Sequence, residues 1–152
     1  MEMGLAMSSA NRRCLNCRER KVRRVTLDRY ETAVDHDGRS YPLVLSNLDV
    51  FQCENCDAIV LDDDADDRIS EALRNAAGLL QPEEIVANRK RLGFTQKQLA
   101  SHLRIAESTL SRWETGGQIQ QRAMDGLLRV FFGSVEARAI LATHPAEAMT
   151  ST

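Results

Sequence analysis

Two short cysteine pairs, Cys14-Leu15-Asn16-Cys17 and Cys53-Glu54-Asn55-Cys56, constrain what this chain can fold into more than any other feature. Each Cys-x-x-Cys can place two thiolates on one face of a tight knuckle, and 35 residues (18 to 52) lie between the pairs. Four such thiolates close a tetrahedral metal site. Zn²⁺ suits it, because thiolates bind zinc tightly and zinc imposes no demanding geometry. Four sulfurs leave no position for a substrate water, so the expected role is structural, with one zinc per chain. The enclosed segment has too little apolar content to fold alone, and metal binding would supply folding free energy on the order of 10 kcal/mol. A thioredoxin-like dithiol needs a βαβ context that is missing here and gives no reason for a second pair. An iron-sulfur centre uses the same four ligands and stays open beside zinc. His36 and His102 are expected at the surface rather than on the metal.

The enclosed segment reads as β-rich. Val22, Val25 and Leu27 predict a first strand, and Tyr30 to Val34 a second that runs into Asp35-His36-Asp37-Gly38. Asp-Gly is a strong hairpin signal, because both central residues tolerate positive φ. Tyr41 to Leu45 returns, with Pro42 restricting it to a sheet edge or strand start, and Leu48 to Gln52 delivers the chain to Cys53. Five acids in six positions, Asp62 to Asp67, then form a solvated linker that also favours the positive end of a helix running to Ala77.

From Pro82 the period changes to that of helices. One helix runs from Pro82 towards Gly93. Phe94 to Gly116 then reads as two short helices joined by a tight turn. Thr95 caps the first, which buries Leu99, Ala100 and Leu103; a break follows at Arg104 to Ala106. The second, Glu107 to Thr115, buries Leu110 and Trp113 and stops at Gly116. Its other face carries Glu107, Ser108, Ser111 and Arg112, short polar groups and one long cation suited to a major groove. Another helix is expected from Gln120 to Phe132, with Ala123, Met124, Leu127, Leu128 and Phe131 at core spacing, and Ser134 caps a final short one. The apolar residues Phe131, Phe132, Val135, Ile140 and Leu141 are a candidate dimer surface, with packing inside the same domain as the equal alternative.

Charge supports this division. The chain has 20 basic and 22 acidic side chains, a net of −2 that does not by itself announce a nucleic-acid binder. Arg89 to Arg129, however, holds 8 basic against 3 acidic groups, as phosphate contact requires. No apolar run is long enough to span a bilayer, and the first residues lack the pattern of a secretion signal, so a cytoplasmic protein is expected. The fold class is α+β: a mobile tail at 1–12, a metal-binding β-domain at 13–61, an acidic linker and connecting helix at 62–80, a helical domain of about five helices at 81–143, and a tail at 144–152.

Thr95-Gln96 opening one helix, and Trp113-Glu114-x-Gly116 closing the next, resemble the Cro/repressor (Xre-type) helix-turn-helix. That motif usually has Gly where this chain has Arg104 and a Ser or Thr cap where it has Ala106. With both cysteine pairs, the connecting helix and this motif in order, the chain from Cys14 to about Leu141 resembles the MqsA (YgiT-type) antitoxin family. The resemblance implies a transcriptional repressor that binds a palindromic double-stranded DNA operator as a homodimer, and a toxin protein held by the zinc domain. Base-reading positions map onto Ser108 and Arg112. Glu107 is a third base-reading candidate, and Gln96, Lys97 and Thr109 are candidate phosphate contacts. The alternative is a free-standing zinc-containing regulator without a toxin. No Ser-His-Asp set, paired carboxylates, phosphate-cradling loop or open metal site points to an enzyme.

Overall fold

The computed structural model describes residues 12–142; the expected tails at 1–12 and 144–152 lie outside this range except for Arg12. Arg12 is no tail residue: it forms an isolated antiparallel bridge with Val22. The described chain is α+β, a three-stranded antiparallel sheet followed by six helices. It divides into two compact units. One runs up to Val34 and resumes over Ser40–Leu73; the other comprises Asp35–Arg39 and the chain from Arg74 onward.

β1 (Val22–His36) and β2 (Arg39–Cys53) form one long hairpin, and β3 (Ile59–Val60) pairs with Phe51 and Gln52 of β2. The turn is Asp37–Gly38, both at positive φ (51° and 75°), as the Asp-Gly signal requires. Four short strands were expected; two strands of 15 residues are found. The reason in β2 is a change of phase. Leu43 and Leu45 are buried at odd positions, then Leu48 and Val50 at even ones. Between them Asn47 takes a left-handed conformation (φ 53°). An extra residue of this kind marks a bulge, which lets both apolar pairs face the same way without ending the strand. Arg68 secures the bend, donating to Asn47 O (2.7 Å) and Ser46 O (2.9 Å). Pro42 sits in β2 away from Phe51 and Gln52, where β3 pairs, so its missing N–H costs no ladder bond on that side.

Helix α1 (Asp63–Ala77) leaves the sheet unit with Asp63, Asp64 and Asp66 in its first turn and Asp62 capping it, the Ala65 N–H donating to Asp62 Oδ1 (2.8 Å). The helical unit then contains α2 (Pro82–Arg91), α3 (Gln96–Leu103), α4 (Glu107–Thr115), α5 (Arg122–Gly133) and α6 (Val135–Ala142). Ile85, Leu99, Ala100, Leu103, Leu110, Trp113, Leu128, Phe131 and Phe132 form its core.

Three expectations change here. Phe131 and Phe132 belong to this core and are not a dimer surface, whereas Val135 and Ile140 of the same segment are 69% and 70% exposed. Ala123 is exposed, because α5 starts at Arg122 and its inward stripe runs through Leu128. His102 is half-buried, its ring 5.2 Å from that of Phe94 and 5.7 Å from that of Phe131, and so is part of an aromatic cluster. His36 is also half-buried, its Nε2 3.0 Å from Gln120 O.

A buried polar network was not foreseen. Asp125 Oδ1 accepts from the Leu80 N–H (2.8 Å) and Gln120 Nε2 (3.1 Å), and its Oδ2 accepts from Arg129 Nε (2.7 Å). Gln120 Nε2 also donates to Leu80 O (2.9 Å), so the entry to α5 is tied to the segment before α2. Gln120 therefore precedes α5 as a buried anchor and is not its first residue.

Candidate metal centre and nucleic-acid interface

The two cysteine knuckles are built alike. In the first, the Cys14 N–H donates to Glu19 O (2.8 Å) and the Arg18 N–H to Cys14 O (2.9 Å). In the second, the Cys53 N–H donates to Ala58 O (3.0 Å) and the Asp57 N–H to Cys53 O (2.9 Å). Arg18 (φ 69°) and Asp57 (φ 60°) take the left-handed conformation that closes each knuckle. Glycine is cheaper there by about 1 kcal/mol, so both knuckles hold against local backbone preference.

Between them the four Sγ atoms all lie within 4.8 Å of one another. Cys14 Sγ is 3.6 Å from Cys56 Sγ, and Cys17 Sγ is 3.6 Å from Cys53 Sγ. A tetrahedron with Zn–S of about 2.3 Å has sulfur–sulfur edges of about 3.8 Å, so the spacing fits one ion. The space among four sulfurs this close admits a single metal and not a multi-iron cluster. The cysteines can hold a metal ion such as zinc. Cys14 and Cys53 are buried, and Val22 packs beside them.

The residues between the cysteines act across the site. The side chain of Asn55, in the second knuckle, holds the Cys17 thiol below its ordinary pKa, and a backbone hydrogen bond at Glu19 adds to this. The side chain of Asn16, in the first knuckle, with the backbone at Ala58, lowers Cys56 to about 6. At Cys53 the backbone N–H of Cys56 works in the same direction, but burial and the neighbouring thiols of Cys17 and Cys14 outweigh it and hold the group up at about 11. Each asparagine thus favours the thiolate of the opposite knuckle, and thiolate is the form that binds metal. The signal was present in the sequence as the shared Cys-x-Asn-Cys. Asn16→Ala and Asn55→Ala are each expected to weaken metal binding about 10- to 100-fold, the range for second-shell partners, in competition with a chromophoric chelator.

In the helical unit, Thr95 and Gln98 form a reciprocal cap at the start of α3: the Gln98 N–H donates to Thr95 Oγ1 (3.1 Å), and the Thr95 N–H to Gln98 Oε1 (2.9 Å). The helix stops at Arg104, which is left-handed (φ 62°, ψ 42°) and sends its N–H back to Ala100 O and Ser101 O. Ala106 then begins α4 without a side-chain cap, and Gly116 (φ 85°) ends it. Leu110 and Trp113 face the core; Glu107, Ser108 and Arg112 are exposed.

What fixes α4 is an ion pair. Glu114 receives Arg89 Nε (2.9 Å) and Nη2 (2.8 Å) in a forked arrangement, and Arg89 Nη1 donates to Phe94 O (3.0 Å). The Glu114 side chain is 3% exposed and that of Arg89 12%. Glu114 is therefore a structural partner, and the charge of Arg89 is neutralised inside the unit. Gln96, a candidate phosphate contact, also turns inward, its Nε2 3.2 Å from Glu114 Oε1. Lys97 is exposed, and Thr109 is half-buried.

Residues 85–136 match the helix-turn-helix family. The matched stretch begins at the buried Ile85 of α2 and takes in α3, α4 and α5, so the helix-turn-helix here includes the Arg89–Glu114 pair. The helix-turn-helix makes this unit a module of the DNA-binding transcription-regulator kind, whose partner is double-stranded DNA. No curated protein matches the chain. Among the described residues, no helix is long and apolar enough to cross a membrane.

Proposed function

We propose that this protein is a sequence-specific transcriptional repressor that holds one structural zinc and serves as the antitoxin of a toxin–antitoxin pair. The observation that carries the DNA-reading part is the exposed face of α4 on a helix whose opposite face is buried and whose end is held by Arg89–Glu114. Arg112 can donate two hydrogen bonds to guanine O6 and N7. Ser108 lies one turn earlier, and Glu107 can accept from cytosine N4. Lys97 and Thr109 position the backbone without reading sequence, and Gln96 would reach a phosphate only by leaving Glu114. One such helix spans few base pairs, so a homodimer on two half-sites supplies the specificity. Val135 and Ile140 are what the last segment leaves exposed for a second copy.

The antitoxin part is supported by the order of parts: a four-cysteine knuckle pair on a hairpin, then a helix-turn-helix, as in the MqsA-type proteins that the sequence resembles. The toxin would dock on the sheet unit, and the chemistry of both units is binding rather than catalysis. Arg112→Ala is expected to cost about 1–3 kcal/mol on the preferred duplex and to flatten base preference, whereas Lys97→Ala weakens all duplexes alike. Binding to a duplex enriched from a random pool, and to a scrambled one, measures both; equal losses for Arg112→Ala would overturn its base-reading role. Affinity purification of the tagged protein tests the remainder. A small co-eluting protein at near-equal amounts, toxic when expressed alone, establishes an antitoxin; DNA and self-association alone establish a free-standing regulator.

A further inference from the structure

Four turns in the helical unit pass through positive φ after a helix. Three use glycine: Gly78 (71°), Gly93 (77°) and Gly116 (85°). The fourth, between α3 and α4, uses Arg104 at 62°. Only glycine enters this region without its Cβ crowding the backbone, so an arginine here works against folding. The backbone of the turn is bonded as a glycine's would be, the Arg104 N–H donating to Ala100 O and Ser101 O, but among the described residues the side chain makes no contact that offsets the crowding. Arg89, Arg91, Arg129 and Arg138 direct their guanidinium groups to Glu114, to Phe132 O, to Asp125, and to Phe131 O respectively. The Arg104 side chain is exposed and has no such partner among the described residues, and no ion pair joins it to Glu107, the acid nearest in sequence. It shares that state with Lys97 and Arg112. The turn it occupies opens directly onto α4, whose N-terminal N–H groups have no side-chain cap.

We infer that Arg104 is a further DNA contact, a cation that grips a backbone phosphate beside the entry of α4 and so sets how α4 enters the groove. The inference rests on the DNA-reading role proposed above. A charged group at this point contacts phosphate and not a base edge, because it precedes the helix that carries Ser108 and Arg112. The left-handed conformation is then a local cost of folding retained for binding.

Stability and binding should move in opposite directions in Arg104→Gly. The variant, in the full chain, is expected to raise the thermal midpoint of the helical signal by about 4–8 °C. Its affinity should fall about 3- to 10-fold, by the same factor on an enriched duplex and on a scrambled duplex of equal length. The slope of log K against log salt should shrink by about 0.9, the value of one phosphate. Arg104→Lys should keep the slope of the native protein. If the native chain binds both duplexes, and Arg104→Gly binds them with unchanged affinity and slope, Arg104 has no contact role and the inference is overturned while DNA binding stands. If the native chain binds neither duplex, the DNA-reading role itself fails and takes the inference with it.

Discussion

Replacing Cys53 by serine is expected to unfold the knuckle end of the hairpin while leaving the helical unit intact. Cys53 is fully buried, and its thiol is 3.6 Å from that of Cys17. The cluster beside it contains only Val22 as a buried aliphatic, with Phe51 and Ala58 partly covered. Burying one such side chain stabilises by about 1.5–3 kcal/mol, far below the order of 10 kcal/mol that a structural zinc contributes. Losing one ligand therefore removes the largest favourable contribution to this end of the hairpin. A strong chelator should act on the native protein in the same way. Hydrogen exchange read residue by residue checks both: amides of Cys14–Cys17 and Phe51–Cys56 should lose protection while those of α3 and α4 keep theirs. Intact protection of the knuckles after metal removal would show that the hairpin needs no ion. Acid should favour the same loss, since protons compete with metal for the thiolates.

Glu114→Ala should destabilise the helical unit by about 3–5 kcal/mol, the range for breaking one side of a buried ion pair. The magnitude comes less from attraction lost than from what remains. Arg89 would keep its bond to Phe94 O but hold an unpaired charge at 12% exposure, and Gln96 would lose its acceptor. Because Glu114 lies in α4, the disturbance reaches the face that carries Ser108 and Arg112, so DNA affinity should fall although the Glu114 side chain is buried. Denaturant unfolding of the variant measures the effect. A paired replacement, Arg89→Met with Glu114→Leu, should recover most of the stability, since two apolar groups leave no buried charge. If Glu114→Ala alone costs under about 1 kcal/mol, the pair behaves as a solvent-screened surface bridge.

Much of this was legible from local pattern. The stripes Leu99–Ala100–Leu103 and Leu110–Trp113 follow helical period, and the Thr95 cap and Gly116 stop follow from hydrogen-bonding chemistry and the absence of a Cβ. The Asp37–Gly38 turn is equally local. The unbroken length of β2 is not legible in sequence, because a change of phase between Leu45 and Leu48 looks the same whether a strand ends or bulges. Only the fixed Asn47, with Arg68 holding its carbonyl, distinguishes the two. Net charge also hid a feature: Arg12 to Arg24 holds seven basic residues and one acid within a segment that is acidic as a whole.

The sequence by itself determined the parts that depend on neighbours along the chain: two knuckles able to present thiolates, a hairpin turn, and a helix-turn-helix whose second helix keeps a polar face exposed. The tertiary structure decided which distant groups meet. It set Asn16 against Cys56 and Asn55 against Cys17, and it turned Gln96 inward to Glu114. It also buried Asp125 with Gln120 and, among the described residues, left the side chain of the left-handed Arg104 without a partner. The physical reason is that period, caps and turns are fixed within a few residues. Desolvation, ion pairing and hydrogen-bond partnership instead depend on which surfaces the closed fold brings together.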